Sequence, residues 1–238
     1  MKARDVMSSP VIAVGPDFAI VDVAKLFLDR NISGAPVVDD DGVVVGIIAE
    51  GDLIFRSEIG TERPHPDWFR QMAREEFLAT EYVKAQARLV KDVMQRRVIT
   101  ASPEATLNEI CALMENNSIK RVLIISDGDV VGIVTRSNIL QALASGPKDL
   151  EISVSDLQIR TDLLAHLSQQ RWAHLSRLNI IVHDRGVVDL WGFATSEVEK
   201  QALRVAAENT AGVCTVNDHV RLQEPVPQPE IERDITTR

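Results

Sequence analysis

The sequence predicts a mixed α/β (α+β) chain in which one structural unit occurs twice and a smaller unit follows. The first observation is a repeat. The stretch Ile32–Ile54, ISGAPVVDDDGVVVGIIAEGDLI, returns as Ile119–Leu140, IKRVLIISDGDVVGIVTRSNIL, and Arg4-Asp5-Val6-Met7 returns as Lys91-Asp92-Val93-Met94. The second is that each copy carries two β-branched runs around an Asp-Gly dipeptide, Asp41–Gly42 and Asp127–Gly128, which is the composition of a hairpin. The third is a change of period near Ser153, after which the pattern reads helix, strand, strand, helix, strand. A unit of this size leaves one sheet face open, so the two copies are expected to pack together about a pseudo-two-fold axis.

In chain order, Val11–Val14 reads as a short strand. Asp17–Arg30 reads as a helix with Ile20, Val23, Ala24, Phe27 and Leu28 on one face and Asp17 as its N-cap or first-turn acid. Hairpin strands Pro36–Asp39 and Val43–Ile48 follow, and a helix opens at Gly51. Residues 57–89 are longer than a connector requires. Their apolar stripe of Trp68, Phe69, Met72, Phe77, Leu78 and Val83 predicts a helical insert packed on the pair or on a second subunit, with a lid as the alternative. The second copy repeats the order: strand Val98–Thr100, helix Ala105–Asn116 with Leu107, Ile110, Cys111 and Met114 inward, hairpin Val122–Ser126 and Val130–Thr135, then a helix after Arg136.

The third unit starts with a helix over Asp156–Arg171 that places Leu157, Leu163, Leu164 and Leu167 inward. Strands Asn179–His183 and Val187–Phe193 flank the turn Asp184-Arg185-Gly186. Ser196 and Glu199 form a predicted capping box for a helix to Asn209, and Gly212 precedes a closing strand Val213–Leu222. The proline-bearing tail, residues 224–238, is expected to be disordered.

Composition bounds the function. With 238 residues and 45% hydrophobic content the chain is long enough for one or two cored domains. A net charge of −9 argues against broad electrostatic binding to nucleic acid. No run approaches the roughly 20 apolar residues of a membrane helix, and the N-terminus has no signal-peptide core, so a cytoplasmic location is expected. Cys111 and Cys214 lie in apolar patterns and are expected to be buried, reduced thiols.

The ordered set Asp-Val-Met, strand, helix, hairpin and a Gly-led strand ending three residues before Asp52 or Asn138, present twice, resembles the cystathionine-β-synthase (CBS) domain, which occurs as tandem pairs. The later segments DRGVVDLWGF and AGVCTVND, in an α-β-β-α-β order, resemble the BON domain, though Trp191 stands where such modules usually carry a smaller residue. These resemblances divide the chain into CBS repeat 1 (1–56), the insert (57–89), CBS repeat 2 (90–146), a BON domain (153–223) and the tail. They imply two β-α-β-β-α repeats plus a small α-β-β-α-β domain. They also imply a cleft between the repeats that takes an adenosine-type ligand such as AMP, ADP or ATP, a homodimer formed through CBS helices, and a protein or phospholipid partner for the BON domain. Mapped onto this sequence, the preferred cleft holds Thr100, Ile119, Lys120, Arg121, Thr135, Arg136 and Asn138. A weaker one holds Val14, Ile32, Ser33, Gly34, Ala35, Pro36 and Asp52, because Ala13 and Ala49 replace the two hydroxyls of the other copy. In this reading Asn138 and Asp52 hydrogen-bond ribose, and a cation meets phosphate at a helix N-terminus. The same residues also suit plain cap and turn chemistry.

A catalytic reading finds no support. The histidines at 65, 166, 174, 183 and 219 show no metal-ligand spacing, and no catalytic residues, metal or catalytic cofactor are expected. Asp39-Asp40-Asp41 reads as a polar turn, and no phosphate loop of the GxxxxGK[ST] type exists. The expectation is a non-enzymatic regulator whose CBS pair binds nucleotide and whose BON domain carries the output. The alternative is a lipid- or protein-binding adaptor in which the CBS pair is only a dimerisation scaffold. A nucleic-acid binder using Arg171, Arg177, Arg185 and Arg204 ranks third, against the overall acidity.

Overall fold

The computed structural model describes residues 1–66, 68, 72–145 and 154–223; the tail lies outside them. The first repeat contains helix α2 (Ile20–Arg30), strands β1 (Gly34–Val38) and β2 (Val44–Ala49) and the short helix α3 (Glu50–Leu53). Ile20, Val23 and Phe27, at helical spacing, are the buried residues of α2. That helix starts at an Ala19 N-cap, later than the sequence suggests, and Asp17 instead receives Lys91 Nζ at 2.7 Å. The β1–β2 turn is wrapped around the Asp39 carboxylate, which accepts from the amides of Asp41 (3.2 Å) and Val43 (2.8 Å). The acidic run is thus turn chemistry.

The second repeat runs β3 (Thr100–Ala101), α6 (Leu107–Asn116), β4 (Arg121–Ser126), β5 (Asp129–Thr135) and α7 (Arg136–Ser145). Its hairpin turn is the tighter one, with both Asp127 (φ 53°) and Gly128 (φ 96°) in the left-handed region that a two-residue connection needs. Thr106 caps α6 reciprocally with Glu109. The early strands differ between copies. Thr100 and Ala101 pair in parallel with Leu123 and Ile124, whereas from Val11–Val14 only Val14 makes a bridge, to Val37. The strand expected at Val11–Val14 does not form.

Each repeat is completed by a segment of the other. Helix α1 (Ala3–Val6) packs Ala3 and Val6 with Ile110, Met114, Val122, Ile124 and Val134 of repeat 2. Helix α5 (Val90–Val93) packs Val90, Val93 and Met94 with Val23, Phe27, Val37 and Ile48 of repeat 1. The backbone repeats the exchange: Ser8 bonds both ways with Ile133 (3.0 and 3.1 Å), and Gln95 both ways with Ile47 (2.9 Å each). Met7 and Met94 lie against Gly132 and Gly46, where any Cβ would collide with their sulfur atoms. The two Gly-led strands need glycine for this close approach.

The insert contributes helix α4 (Glu75–Gln86), tied back by Arg56, whose Nη1 donates to the Lys84 carbonyl at 2.8 Å, and by Ser57 Oγ on the Ala85 carbonyl at 3.1 Å. The apolar stripe expected to pack is largely uncovered: no residue of α4 is buried, Trp68, Met72, Phe77 and Val83 are exposed, and Phe69 lies outside the described residues.

The third unit comprises α8 (Val154–Ser168), β6 (Leu178–His183), β7 (Val187–Ala194), α9 (Glu197–Glu208) and β8 (Thr215–Leu222). Strand order is β6-β7-β8, the first pair antiparallel and the second parallel. Leu178, Ile180, Val182, Val188 and Leu190 face the helices with Ile159, Leu163, Leu167 and Leu203. The Ser196 side chain caps α9 by accepting from Glu199 N, but the Glu199 carboxylate reaches Thr195 N (2.7 Å), not the cap's own amide.

By alternation the other face of this sheet carries Asn179, Ile181, His183, Asp189 and Trp191. That face docks on the CBS-like pair. Ile181 is fully buried with Ala3, Val6 and the repeat-2 core. Arg160 sits in the junction, donating to the Ile180 carbonyl (2.7 Å) and to the Met7 carbonyl (2.9 Å). Burial lowers its pKa to about 10, against the opposing pull of Asp5. His183 is buried on the same face with Nε2 2.7 Å from Asp189 Oδ2, and His219 stacks on Trp191. Both cysteines prove exposed. Cys111 follows the buried Ile110 and turns off the inner face of α6, and Cys214 sits in the turn before β8.

Candidate functional site

The residues expected for one cleft do not all meet, and some from the other cleft join them. A cleft of about 890 Å³ is lined by Arg121, Thr135 and Asn138 of repeat 2 together with Ile32, Ser33 and Gly34 of repeat 1. Thr100, Ile119, Lys120 and Arg136 do not line it. The segment exchange explains this: the residues facing Thr135 from repeat 1 are Ser8, Pro10, Val11 and Ile12, which follow α1. Val14, Ala35 and Pro36 are buried in or beside the repeat-1 core, outside the cleft. Asp52 lines a different pocket of about 450 Å³, walled by Gln95 and by Phe55, Arg63, His65 and Tyr82 around the insert.

Asn138 and Asp52 occupy matching positions and make the same contact. Asp52 Oδ2 accepts from Ala49 N at 2.9 Å, and Asn138 Oδ1 accepts from Thr135 N at 2.7 Å, each reaching back three residues to the start of its helix. Asn138 Oδ1 also accepts from Thr135 Oγ1 (2.7 Å), and its Nδ2 donates to Ser8 Oγ (3.1 Å) and Gln141 Oε1 (3.5 Å). All four of its hydrogen-bonding positions are therefore taken by protein. Asn138, 3% exposed, holds the wall of the cleft rather than offering free groups to it. Asp52 Oδ1 accepts from Gln95 Nε2 at 3.0 Å.

The cationic wall is Arg121. Its Nη2 donates to Ser33 Oγ at 3.2 Å, and its guanidinium lies over Gly34 so closely that a Cβ there would overlap it. Burial depresses the Arg121 pKa, while the charges of Glu50 and Asp52 pull it back up. The base-sized apolar surface comes from Phe27, Leu28, Ile54 and Ile133. An aromatic or purine ring could lie there, with an anionic group toward Arg121.

Sequence reasoning missed the third wall. Ser176, Arg177, Leu178, Asn179, Trp191 and Phe193, all of the C-terminal unit, line the same cleft. The signal lay in β6, where a polar Asn179 and an apolar Ile181 share the face turned away from the unit's own helices. Among the described residues no group of His, Cys, Asp or Glu could hold a metal ion, and no helix is long and apolar enough to cross a membrane.

Comparison with known proteins accounts for the architecture. The CBS domain model matches residues 3–58 and 90–145, and the BON domain model matches residues 155–224. The uncharacterized protein MJ1426 of Methanocaldococcus jannaschii is 36% identical over 154 residues, spanning 60% of this chain and 91% of that protein. A second uncharacterized protein of that organism, MJ1232, is 30% identical over 145 residues, and the chain spans 40% of its length. The crystal structure of CBSX2 in complex with AMP aligns with a TM-score of 0.51 at 22% identity, covering 60% of this chain and 97% of that one. That likeness is one of fold.

Proposed function

The chain belongs to the CBS-domain family, as a tandem CBS pair followed by a BON domain, and on that premise we propose that it is a non-catalytic sensor of an adenosine-type nucleotide. The ligand occupies the cleft bounded by Thr135, Asn138, Ser33 and Arg121. The observation that carries this reading is the convergence there of one apolar wall, the Arg121 cation and the helix-opening turn Thr135–Asn138, in a volume suited to a molecule of nucleotide size. The Asp52 pocket is narrower and capped by the insert. AMP, present in the CBSX2 crystal structure, is the first ligand to try.

The BON domain carries the output. Its sheet rests on the face of the pair that borders the cleft, so a ligand that favours one docking geometry shifts the domain's position. Val21 on α2 and Leu140 and Leu143 on α7 are exposed apolar residues, which supports a homodimer through these helices.

The test is thermal unfolding against AMP, ADP, ATP, NAD, NADH, S-adenosylmethionine and cyclic di-AMP. A ligand at about 100 times its Kd adds about 2.7 kcal/mol to the native state, which raises Tm by about 5–10 °C for a chain of this size. Arg121→Ala abolishes the rise and Asp52→Ala preserves it. No shift with any ligand overturns the reading in favour of the adaptor, in which the pair only dimerises.

A further inference from the structure

Two BON side chains enter the cleft with unused hydrogen-bonding capacity. Asn179, 5% exposed, donates from Nδ2 to Gln141 Oε1 at 2.8 Å, but its Oδ1 is buried without a hydrogen-bond partner. Arg177, at the end of the 3-10 turn Leu175–Arg177, donates from Nη2 to the Asp29 carbonyl at 2.6 Å, while its Nε and Nη1 are buried and unpartnered. Leaving such groups unmatched is unfavourable, and structures that keep them usually have something else to satisfy them. Their chemistry states what that is. Arg177 offers a positive charge and the N–H groups of Nε and Nη1, which have no hydrogen-bond partner. Arg121, the other cation of the cleft, stands in the field of Glu50 and Asp52. Asn179 Oδ1 asks for an N–H or O–H.

The local backbone fixes this placement. Gly192, with φ at 135°, sits beneath the Arg177 carbonyl at a distance no Cβ would allow, and the next residue back, Trp191, also lines the cleft.

We infer that the BON domain is part of the ligand site: Arg177 binds an anionic phosphate of the ligand, and Asn179 Oδ1 accepts from an N–H or O–H of the same molecule. The inference rests on the nucleotide reading above and sharpens it to a phosphorylated nucleoside that bridges the CBS pair and the BON domain. Recognition and output then share one contact surface, and the BON domain responds because it holds the ligand.

The test is isothermal titration of the full chain with AMP and with adenosine. Arg177→Ala weakens AMP binding by about 10- to 100-fold and leaves adenosine binding unchanged; Arg177→Lys restores part of the AMP affinity. Asn179→Leu, which keeps the branched shape of the side chain but removes its polar atoms, is the second variant and weakens both ligands by about tenfold. Binding also changes the fluorescence of Trp191, and the change disappears in Trp191→Phe. Far-UV circular dichroism shows each variant folded. Wild-type affinity for AMP in both Arg177→Ala and Asn179→Leu overturns this inference and leaves the nucleotide reading standing, as does an equal loss of AMP and adenosine in Arg177→Ala. A wild-type chain that binds neither AMP nor adenosine nor any other nucleotide overturns both.

Discussion

Replacing Ile181 by alanine reads out whether the BON sheet is seated on the CBS pair. Ile181 is fully buried, yet it points away from the helices of its own domain and into the core formed by Ala3, Val6, Ile110 and Val122. Truncating a buried Ile to Ala costs about 2–5 kcal/mol, because three carbons leave and the surroundings collapse only in part. A mid-range loss of about 3 kcal/mol lowers Tm by about 6–12 °C for a chain of this length. If the domain instead stood free of the pair, Ile181 would lie on a solvated sheet face, where substitutions stay within about 0.5 kcal/mol. Ile180→Ala is the control: that side chain faces the BON core and destabilises the chain in either arrangement. Equilibrium urea unfolding followed by circular dichroism separates the two outcomes. A change below about 0.5 kcal/mol for Ile181→Ala beside a full loss for Ile180→Ala would refute the docked arrangement.

Other perturbations follow from single contacts. Thr106→Ala removes the cap of α6 and lowers stability by about 1 kcal/mol, measured by the same unfolding. Gly192→Ala forces a side chain against the Arg177 carbonyl at a left-handed φ, so it destabilises by about 1–3 kcal/mol and weakens nucleotide binding with it. Gly34→Ala displaces the Arg121 guanidinium and lowers AMP affinity in titration while leaving the Asp52 pocket intact. Glu199 is held below its ordinary pKa of 4.5; burial alone would raise it, and the Thr195 and His174 hydrogen bonds outweigh that. Its contribution is therefore full above pH 4.5 and is lost as pH falls below that value. Glu199→Gln lowers stability at pH 7 more than at pH 3, and an equal loss at both would show the carboxylate charge to be idle.

The elements were legible because each carries its own signal. Asp127–Gly128 between β-branched runs can hardly form anything but a hairpin, and Ile20, Val23 and Phe27 announce their helix by spacing alone. Partnership was not legible. Nothing in Ala3–Val6 says that it packs on the distant repeat, and nothing in the spacing of Thr100 and Asn138 says that only the second lines the larger cleft. Residues that share a wall here come from both copies, through hydrogen bonds such as Ser8 to Ile133 that sequence periodicity does not encode. Arg121, Thr135 and Asn138 line one cleft together with Ile32–Gly34, which the sequence reading placed in a second one. Arg177 and Asn179 belonged to a domain read in isolation. Cys111 shows the same limit at small scale: its apolar neighbourhood is real, but one residue past Ile110 is already about 100° around the helix.

The crossing of α1 and α5 between the repeats sets an order on the birth of the chain. In synthesis Ala3 and Val6 are made well before their partners: Ile133, which Ser8 must bond, is more than a hundred residues later. At about 5–20 residues per second, that wait is roughly 6–25 seconds. Repeat 1 also stays open until Val90–Met94 arrive. Ala3 and Val6 therefore lack the core that buries them until repeat 2 has been made.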